Sequence, residues 1–296
     1  MKEISVVIPS YNSARTIGRT LESLAAQRGD YLREIILVDS SDDGKTPGMI
    51  AGFTSQGLRV LRLEKKTMPA TARNLGAAQA GGAVLAFIDS DAYAAVDWLE
   101  RIWHAYEDGC RAGGGAILLP EFQRQVRIAE AQYYLQFNEF METGRRRVKT
   151  FVPSCNLFCD AELFKRVGGF PEIRASEDVL FGLKVGETEK FFFDPRIRVY
   201  HIFREEKESY LANQRLLGEY ILIYRRGRGN NFIYKGPWPA LLLPAFVTLK
   251  FFKIAARIAL SGRPGHLAAF ARSLPLFLQG LWHWAKGFLK ACGDKA

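Results

Sequence analysis

The chain of 296 residues is long enough for one large α/β domain with an appendage, or for two modest domains. Its apolar fraction of 48% and charged fraction of 24% are typical of a globular protein and exclude a largely disordered one. None of the four cysteines stands in a CxxC pair, which argues against a disulfide scaffold and against a thiolate metal site. We also expect no secretory signal, because Met1 leads directly into an apolar run without a basic segment or a cleavage site.

The net charge of +10 is concentrated in the last third of the chain. Residues 196–296 contain 17 Lys and Arg but only 5 Asp and Glu, whereas the first 195 residues have a net charge of −2. A segregated basic region of this kind favours a polyanion or an anionic membrane surface as its partner.

The first two-thirds of the chain alternate between strand and helix patterns. Short apolar runs predict buried strands at residues 4–8, 35–38, 58–63, 84–88 and 196–200. Apolar residues at helical spacing predict helices around residues 17–24, 70–80 and 98–106. Residues 121–150 predict a mixed helix, with an aromatic cluster interpreted as core packing and a basic run at 145–147 interpreted as a solvated loop. This order predicts an α/β fold with a mostly parallel central sheet and helices on both faces, whose chemistry collects beyond the carboxyl ends of the strands.

Polar residues follow the first two predicted strands. The run PSYN at residues 9–12 ends the first strand, and Asp39 opens the acidic turn DSSDDG after the second. Such a turn is also typical of ordinary loops, but two polar ends on neighbouring strands build one crevice. There is no glycine between Met1 and Ile17, so the sequence lacks the GxGxxG fingerprint of an NAD-binding Rossmann domain.

The strand at residues 84–88 is followed by Asp89, Ser90 and Asp91. Two carboxylates around a small residue suit a hard divalent cation such as Mg²⁺ or Mn²⁺, which takes oxygen ligands and keeps positions for diphosphate oxygens. The alternative is an aspartate cap for a following helix. The position directly after a buried strand favours the metal site.

Further polar residues stand at the ends of other predicted elements. Arg73 and Asn74 lie near the start of a helix, where anions bind favourably. Glu177 and Asp178 are either a general base for an acceptor hydroxyl or a carboxylate pair preferred at a helix N-terminus for dipole reasons. His201 ends the last predicted strand, as a structural residue or as a ligand that completes the coordination of the metal.

Taken together, these segments resemble the ordered motifs of family-two glycosyltransferases. The matching segments are VVIPSYN at residues 6–12, the Asp39 turn, Ala72-Arg73-Asn74, Asp89-Ser90-Asp91, Gly168-Gly169-Phe170 and Glu177-Asp178. They span about residues 4–203, and six motifs in the right order make the resemblance specific where no single motif would. The resemblance implies a GT-A fold and an inverting, metal-dependent transfer of one sugar from a nucleoside-diphosphate sugar, linked to UDP or GDP.

The resemblance also implies roles for the matching residues. Asp178 would be the catalytic base, with Glu177 beside it. The donor would be bound by Pro9, Tyr11, Asn12, Asp39, Arg73, Asn74, Asp89 and Ser90. The metal, Mn²⁺ or Mg²⁺, would be bound by Asp91, Asp89 and His201.

Two departures from the family pattern qualify what the resemblance implies. The family's usual turn after the second strand reads Asp-Asp-Gly-Ser, whereas this chain has DSSDD at residues 39–43, so the identity of the nucleotide stays open. No QxxRW motif follows Asp178, which favours the addition of a single sugar over processive polymer synthesis.

Residues 229–296 form a predicted second region beside the catalytic domain predicted for residues 1–228. Residues 236–249 carry no charge, and a helix of that length reaches about 21 Å, short of the roughly 30 Å hydrocarbon core of a bilayer. Two groups of polar and basic residues would each share a helix face: Lys250, Lys253 and Arg257, and then Gln279, His283, Lys286 and Lys290. Such stripes opposite Leu, Phe and Trp predict amphipathic helices in a membrane interface. The alternatives are helices packed on the protein itself, or a transmembrane pair that includes residues 237–260.

These patterns predict a membrane-associated glycosyltransferase on the cytoplasmic side of the cell membrane, peripheral or monotopic. It would act in cell-surface glycan or glycolipid synthesis on a lipid-linked or glycan acceptor. The alternatives are a catalytically silent nucleotide-sugar-binding module and a nucleotidyltransferase, although residues 10–15 lack the glycine-rich loop that the latter favours. We expect no nucleic acid as a partner, because the aromatic residues of the tail lie within apolar runs instead of alternating with cations.

Overall fold

The computed structural model describes residues 3–53, 57–227 and 232–293. Within them the chain forms nine strands: β1 Ile4–Ser10, β2 Leu32–Asp39, β3 Leu58–Arg62, β4 Val84–Phe87, β5 Ala92–Ala94, β6 Ala112–Leu118, β7 Arg147–Lys149, β8 Leu157–Asp160 and β9 Phe191–His201. The same residues form eleven α-helices: α1 Ile17–Ala25, α2 Thr46–Ala51, α3 Pro69–Ala78, α4 Trp98–Glu107, α5 Arg127–Phe137, α6 Ala161–Arg166, α7 Glu177–Val185, α8 Lys207–Gly227, α9 Trp238–Leu241, α10 Leu243–Ala259 and α11 Pro264–Gly293.

The chain divides into two compact units. The first comprises Met1–Leu118 and Phe140–Ile202, and the second comprises Leu119–Glu139 and Phe203–Ala296. The boundaries between these units follow residues 118, 139 and 202, whereas the sequence predicted one boundary, after residue 228. Helices α5 and α8 group with the C-terminal helices, because their apolar faces pack against α11.

The first unit is built on one sheet in the order β3-β2-β1-β4-β8-β6-β9-β5, with β7 paired to β9. The four strands predicted from the first 90 residues form its parallel half, β3-β2-β1-β4. Beyond β4 the sheet is mixed: β8 is antiparallel to β4 and β6, β9 is parallel to β6, and β5 is antiparallel to β9. The fold is therefore α/β with a mixed sheet, and the expected parallel order holds for its first half.

Alternate residues of β2 show that helices cover both faces of the parallel half. Ile35 and Leu37 pack in the cluster that contains Leu21 of α1, whereas Ile36 and Val38 pack with Ala72 of α3. A strand covered on both faces has apolar side chains at every position, which explains the continuous runs in the sequence. On the α3 side the approach is close, since a Cβ added at Gly76 would lie 2.5 Å from Val7.

The predicted mixed helix at residues 121–150 is wrong over most of its length. Only α5 is α-helical, and it follows a short 3₁₀ turn at Glu121–Gln123 and a left-handed residue, Gln125, with φ of 73°. After α5, the last residue of the basic run, Arg147, begins the edge strand β7. The arginine side chains lie over aromatic rings there: Arg147 lies 4.3 Å from the ring centroid of Phe193.

In the second unit, α11 packs along α8 at very short distance. Added Cβ atoms at Gly218 and Gly287 would overlap the carbonyl groups of Trp284 and Arg215. Glycine at these contacts lets the two backbones approach each other closely. The amphipathic helices predicted for the tail are thus present, and α11 buries one face against the protein's own unit, as one of the alternatives held.

Two of the three residues in the first predicted basic stripe bind within the second unit. Lys250 Nζ lies 4.8 Å from the ring centroid of Trp284, and burial, aided by the nearby Arg225, lowers the pKa of Lys250 to about 8. Arg257 donates to Asn138 Oδ1 over 2.6 Å. Among the described residues, no helix combines the length and the apolar content needed to cross a bilayer.

Candidate active site

The turn after β4 carries the two carboxylates predicted to bind a metal. Asp89 is not a helix cap: the chain passes through Ser90 and Asp91 directly into β5, and the next helix begins only at Trp98. The Ala92 amide donates to the Asp89 carbonyl over 3.0 Å, which closes the turn. The helix-cap alternative for this motif is therefore wrong.

Two neighbours hold this turn in place. The Thr20 hydroxyl of α1 lies 3.1 Å from the Ser90 carbonyl and 2.7 Å from the Ala92 carbonyl. On the other side, the Ile202 amide donates to the Asp91 carbonyl over 2.7 Å. The backbone of the turn is thus anchored to a helix and to the end of β9, which fixes where its carboxylates lie.

Asp89, Asp91 and His201 form a cluster that fits a divalent cation. One ligand atom of each lies within 4.8 Å of the others, and His201 Nε2 is 3.6 Å from Asp91 Oδ1. The pairing of Ala92 with His201 between β5 and β9 brings the histidine to the aspartates across more than a hundred residues. Two carboxylates and one imidazole suit Mn²⁺ and are compatible with Mg²⁺, so the residues present fit the predicted ion.

Arg73 of α3 bridges two of the predicted carboxylates. Its guanidinium is buried and lies 2.5 Å from Asp89 Oδ1 and 2.8 Å from Glu177 Oε1. Burial alone would lower the pKa of Arg73, but the charges of Asp89 and Glu177 outweigh it and raise that pKa above its usual value. Arg73 Nε is buried and has no hydrogen-bond partner among the residues that the structure describes.

Glu177 and Asp178 begin α7 after a strained residue. Ser176, the N-cap of α7, has φ of 69° in the left-handed region, which is costly for a residue other than glycine. The Asp178 carboxylate accepts from the Val179 amide over 2.8 Å. Burial, together with the charge of Glu177, raises the pKa of Asp178 to about 7. A carboxylate with a pKa near neutrality suits a general base.

The buried thiol of Cys155 marks where these groups converge. Burial raises the pKa of Cys155 well above its usual value, and the charges of Asp89, Asp91 and Asp178 raise it further. The geometric link between the two groups is Arg73, which contacts Asp89 of the predicted metal site and Glu177, the residue before the predicted base.

The carboxylate of Asp39 is buried and fully engaged. It accepts from the hydroxyl of Ser10 over 3.0 Å and from the hydroxyl of Ser41 over 2.5 Å, and it pairs with the guanidinium of Arg62. Arg62 also donates to the Ser41 carbonyl. Asp39 thus organises the strand ends, and Arg62 is the more exposed member of the pair.

The residues after β1 form a second polar network at the same edge. Asn12 has φ of 51°, and its side chain exchanges two hydrogen bonds with Asp42, of 2.8 and 3.0 Å. The Tyr11 hydroxyl donates to Asp42 over 3.1 Å, and Lys66 lies 4.0 Å from the Tyr11 ring centroid. A tyrosine ring and several polar groups at strand ends are suited to a nucleoside.

Two of the predicted donor-binding residues have structural contacts instead. Asn74 accepts from the Phe170 amide over 2.9 Å and donates to the Phe170 carbonyl over 2.8 Å. Gly169 must be glycine there, with φ of 65° and an added Cβ only 2.7 Å from Asn74 Oδ1. Pro9 is buried within β1, where it pairs with Val38 of β2.

Sequence reasoning missed Arg62, Ser41 and Thr20. Arg62 ends β3 and stands in register with Asp39, so the strand pairing could have suggested the ion pair once the order β3-β2-β1 was assumed. Ser41 lies within the acidic turn DSSDDG that follows β2. Nothing in the sequence pattern indicates the role of Thr20, because its partners are backbone carbonyls about seventy residues away.

Comparison with known proteins identifies relatives of this arrangement. Residues 5–167 match the family described as Glycosyl transferase family 2. The chain is 35% identical over 100 residues to the succinoglycan biosynthesis protein ExoO of Rhizobium meliloti, covering 34% of this chain and 28% of ExoO. It is 28% identical over 174 residues to the glycosyltransferase AglE of Haloferax volcanii, covering 57% of this chain and 56% of AglE. The alignments thus span between 28% and 56% of the length of these two relatives.

Solved structures share the fold at low sequence identity. A mannosyltransferase of Pyrobaculum calidifontis in complex with GDP-Man and Mn²⁺ superposes with a TM-score of 0.64 and 19% identity, covering 100% of this chain and 89% of the other. TarS of S. aureus in complex with UDP-GlcNAc superposes with a TM-score of 0.53 and 21% identity, covering 94% of this chain and 89% of TarS. These likenesses establish a GT-A glycosyltransferase fold for the chain.

Proposed function

Because the chain belongs to glycosyl transferase family 2, we propose that it is an inverting glycosyltransferase. It moves one sugar from a nucleoside-diphosphate sugar, linked to UDP or GDP, to an acceptor hydroxyl or phosphate. The relative named for succinoglycan biosynthesis supports a role in cell-surface glycan or glycolipid synthesis.

The observation that carries this proposal is the convergence of two kinds of carboxylate around one point. Asp89 and Asp91 lie with His201 in a cluster suited to a cation, and Arg73 connects Asp89 to Glu177, which precedes Asp178, whose pKa is raised to about 7. A base of that pKa is partly ionised at neutral pH and retains the affinity to take up a proton. Asp178 accepts the acceptor proton as the acceptor oxygen attacks the anomeric carbon, on the face opposite the departing diphosphate.

Asp91, Asp89 and His201 are proposed to hold Mn²⁺ or Mg²⁺. A divalent ion bound there offsets the negative charge that builds on the departing diphosphate. Arg73, fixed between Asp89 and Glu177, holds both carboxylates in position and adds a positive charge beside them. Because the guanidinium is buried, this charge is weakly screened by water.

The nucleoside is proposed to lie against the strand ends that carry Tyr11, Asn12 and Asp39. The backbone of Pro9 and Ser90 is proposed to contribute to the same surface. Tyr11 offers a ring face, and the Asn12–Asp42 pair holds the loop in shape. Asp39 supports this surface without contacting the nucleoside directly, since its carboxylate oxygens already bind Ser10, Ser41 and Arg62. Arg73 and Asp89 lie on the phosphate and ribose side, and Asn74 supports them by fixing the Phe170 backbone.

The place of action is proposed to be a membrane surface on the cytoplasmic side, with peripheral or monotopic attachment. The excess of cations in residues 196–296 supports this location, because anionic lipid attracts basic segments. The acceptor is accordingly a lipid-linked molecule or a glycan brought to that surface.

A donor screen tests the proposal. The purified chain is incubated with UDP- and GDP-linked sugars, with Mn²⁺, with Mg²⁺ or with EDTA, and release of the nucleoside diphosphate is measured. Turnover with one nucleotide class that needs the metal would support the proposal. Donor binding in calorimetry without turnover would favour a catalytically silent module, and release of inorganic pyrophosphate from a nucleoside triphosphate would favour a nucleotidyltransferase.

Stereochemistry provides a separate test of inversion. Once a donor is known, proton NMR of the first product reports its anomeric configuration before any mutarotation. An α-linked donor should yield a β-linked product. Retained configuration would contradict the role of Asp178 as a base acting on the acceptor.

A further inference from the structure

Helix α10 turns an apolar face away from its own unit. The exposed fractions are 66% for Leu249 and 63% for Phe252, and Leu260, directly after the helix, reaches 86%. At about 100° per residue these three lie within about 80° of one another, together with the exposed Ala256. The face is a continuous apolar stripe and not a set of scattered side chains.

The opposite side of α10 is occupied by the protein itself. Ile254 and Ile258 are buried, and Phe251 packs edge-on against Phe277 of α11 with ring centroids 6.1 Å apart. Arg257 lies 2.6 Å from Glu139. The exposed apolar stripe is therefore not a helix face that the monomer could bury by a small rotation, because the other side is already committed.

The charges around this face are mostly positive, with Glu139 as a carboxylate that pairs with Arg257 and Lys253. Residues 232–293 contain no Asp or Glu, and their basic residues are Lys235, Lys250, Lys253, Arg257, Arg263, Arg272, Lys286 and Lys290. Of these, Lys253 is largely exposed and stands at the edge of the apolar stripe. An apolar stripe bordered by cations matches an anionic lipid surface.

Helix α11 repeats the pattern on a smaller scale. Leu278 and Leu289 are largely exposed, and Trp282, exposed by 60%, carries Lys286 at 5.6 Å from its ring centroid. Tryptophan and lysine side by side are typical of helices at the level of the lipid head groups.

We infer that the outward face of α10, formed by Leu249, Phe252, Ala256 and Leu260, inserts into the head-group boundary of an anionic bilayer. This inference rests on the proposed membrane location and names the surface that achieves it. The sequence predicted an amphipathic helix in a membrane interface, and the structure adds which apolar side chains of α10 are exposed, with Lys253 at their edge.

A second copy of this chain is a poorer occupant of the same face. A symmetric dimer would bring the same surface of both copies together. Residues 232–293 carry only cations, and the nearby Glu139 already pairs with Arg257 and Lys253, so such a contact would oppose two surfaces with an excess of positive charge. A lipid surface supplies both the apolar phase and the negative charge.

Vesicle co-sedimentation of the full chain tests the inference. The vesicles contain either phosphatidylcholine alone or phosphatidylcholine with phosphatidylglycerol. The variant is Leu249→Ser, Phe252→Ser and Leu260→Ser combined, and the matched control is Val148→Ser, which removes an equally exposed apolar side chain, 58% exposed, from the first unit. We expect the wild type to bind the anionic vesicles more tightly than the neutral ones. The triple variant should lose at least about 100-fold in partition coefficient, since burial of each large side chain is worth roughly tenfold or more.

The outcomes separate this inference from the proposed function. Metal-dependent donor hydrolysis should be unchanged in the triple variant, because these residues lie outside the site. Wild-type-like vesicle binding by the triple variant would assign attachment to the cations alone and overturn the inference. So would a wild type that hydrolyses donor but binds no vesicle, or a wild-type dimer in ultracentrifugation that the three substitutions convert to a monomer. Circular dichroism and thermal unfolding confirm that the variant is folded.

Discussion

Strand β2 ends in Asp39, and the turn after β4 carries Asp91; the two side chains have different surroundings. Asp39 after β2 is 1% exposed and receives hydrogen bonds from two serines and an ion pair from Arg62. The Asp91 side chain beyond β4 is 39% exposed, and its neighbour across the sheet is His201 at 3.6 Å. An aspartate at the carboxyl side of a strand is thus buried and paired with a cation in one case, and partly exposed to solvent in the other.

The difference in the surroundings of Asp39 and Asp91 follows from the side chain at the end of the strand beside each of them. Beside Asp39, β3 ends in Arg62, whose positive charge compensates the buried carboxylate. Beside Asp91, β9 ends in His201, an imidazole that we propose as a metal ligand. We therefore expect substitutions at Asp39 to change the stability of the fold, and substitutions at Asp91 to change activity.

Asp91→Ala is the largest test of this contrast. We expect sugar transfer to fall by about a thousandfold or more, because a principal metal ligand is lost. The free energy of unfolding should change by less than about 0.5 kcal/mol, since the side chain is well exposed. Single-turnover assays over a range of Mn²⁺ concentrations and urea unfolding measure the two effects. Asp108→Ala, at an exposed carboxylate that binds Arg146, serves as control. Near-normal turnover in Asp91→Ala would contradict the metal site.

Asp178→Asn extends the contrast to the proposed base. The amide keeps the shape but cannot take up the acceptor proton, so transfer should fall by about 10²–10⁴-fold. Donor binding, measured by calorimetry, should stay within a few-fold of the wild type. Loss of donor affinity equal to the loss of rate would indicate a binding role for Asp178 in place of a base.

The pH profile of the wild type should report the same residue with a smaller effect. Burial and Glu177 raise the pKa of Asp178 to about 7, so kcat/KM should fall about tenfold for each pH unit below 7. The free energy of unfolding should change in the opposite direction and fall as the pH rises. Since the folded pKa lies above the ordinary value of 3.8, protonation favours the fold below about pH 4, and this advantage is lost as the pH rises through 7. Asp178→Asn should therefore unfold at a higher temperature than the wild type at pH 8 and should lack the acid limb of the rate profile.

Asp39→Asn and Arg62→Ala give the smallest expected effects on activity. Arg62→Ala removes the counter-ion of a buried carboxylate but is itself half exposed, so we expect a loss of about 1–2 kcal/mol in the free energy of unfolding. Asp39→Asn keeps a hydrogen-bonding group, and the double variant should lose less than the sum of the two single ones. A donor KM that changes more than tenfold in either variant, with stability unaffected, would place the nucleoside directly on this pair.

Much of the fold and part of the site followed from the sequence alone. Apolar runs predicted the four strands of the parallel half; those of β1, β2 and β4 are nearly continuous because strands covered on both faces are apolar at most positions, whereas the edge strand β3 keeps two arginines. Asp89 and Asp91 were identified because they come directly after such a run, and ligand sites collect at the carboxyl ends of strands. Glu177 and Asp178 were identified by their place in the ordered motifs.

The rest was decided by contacts between residues distant in the sequence. His201 reaches the aspartates only because β5 and β9 are antiparallel, and Arg62 closes Asp39 only through the register of β2 and β3. Neither pairing leaves a periodic signal in a single sequence. The same holds for α10: helical periodicity predicted which residues share a face, but not which face the rest of the second unit would cover. A helix can bury only the face for which the fold provides partners. In α10 that face contains Ile254 and Ile258, and Leu249 and Phe252 on the other side stay exposed.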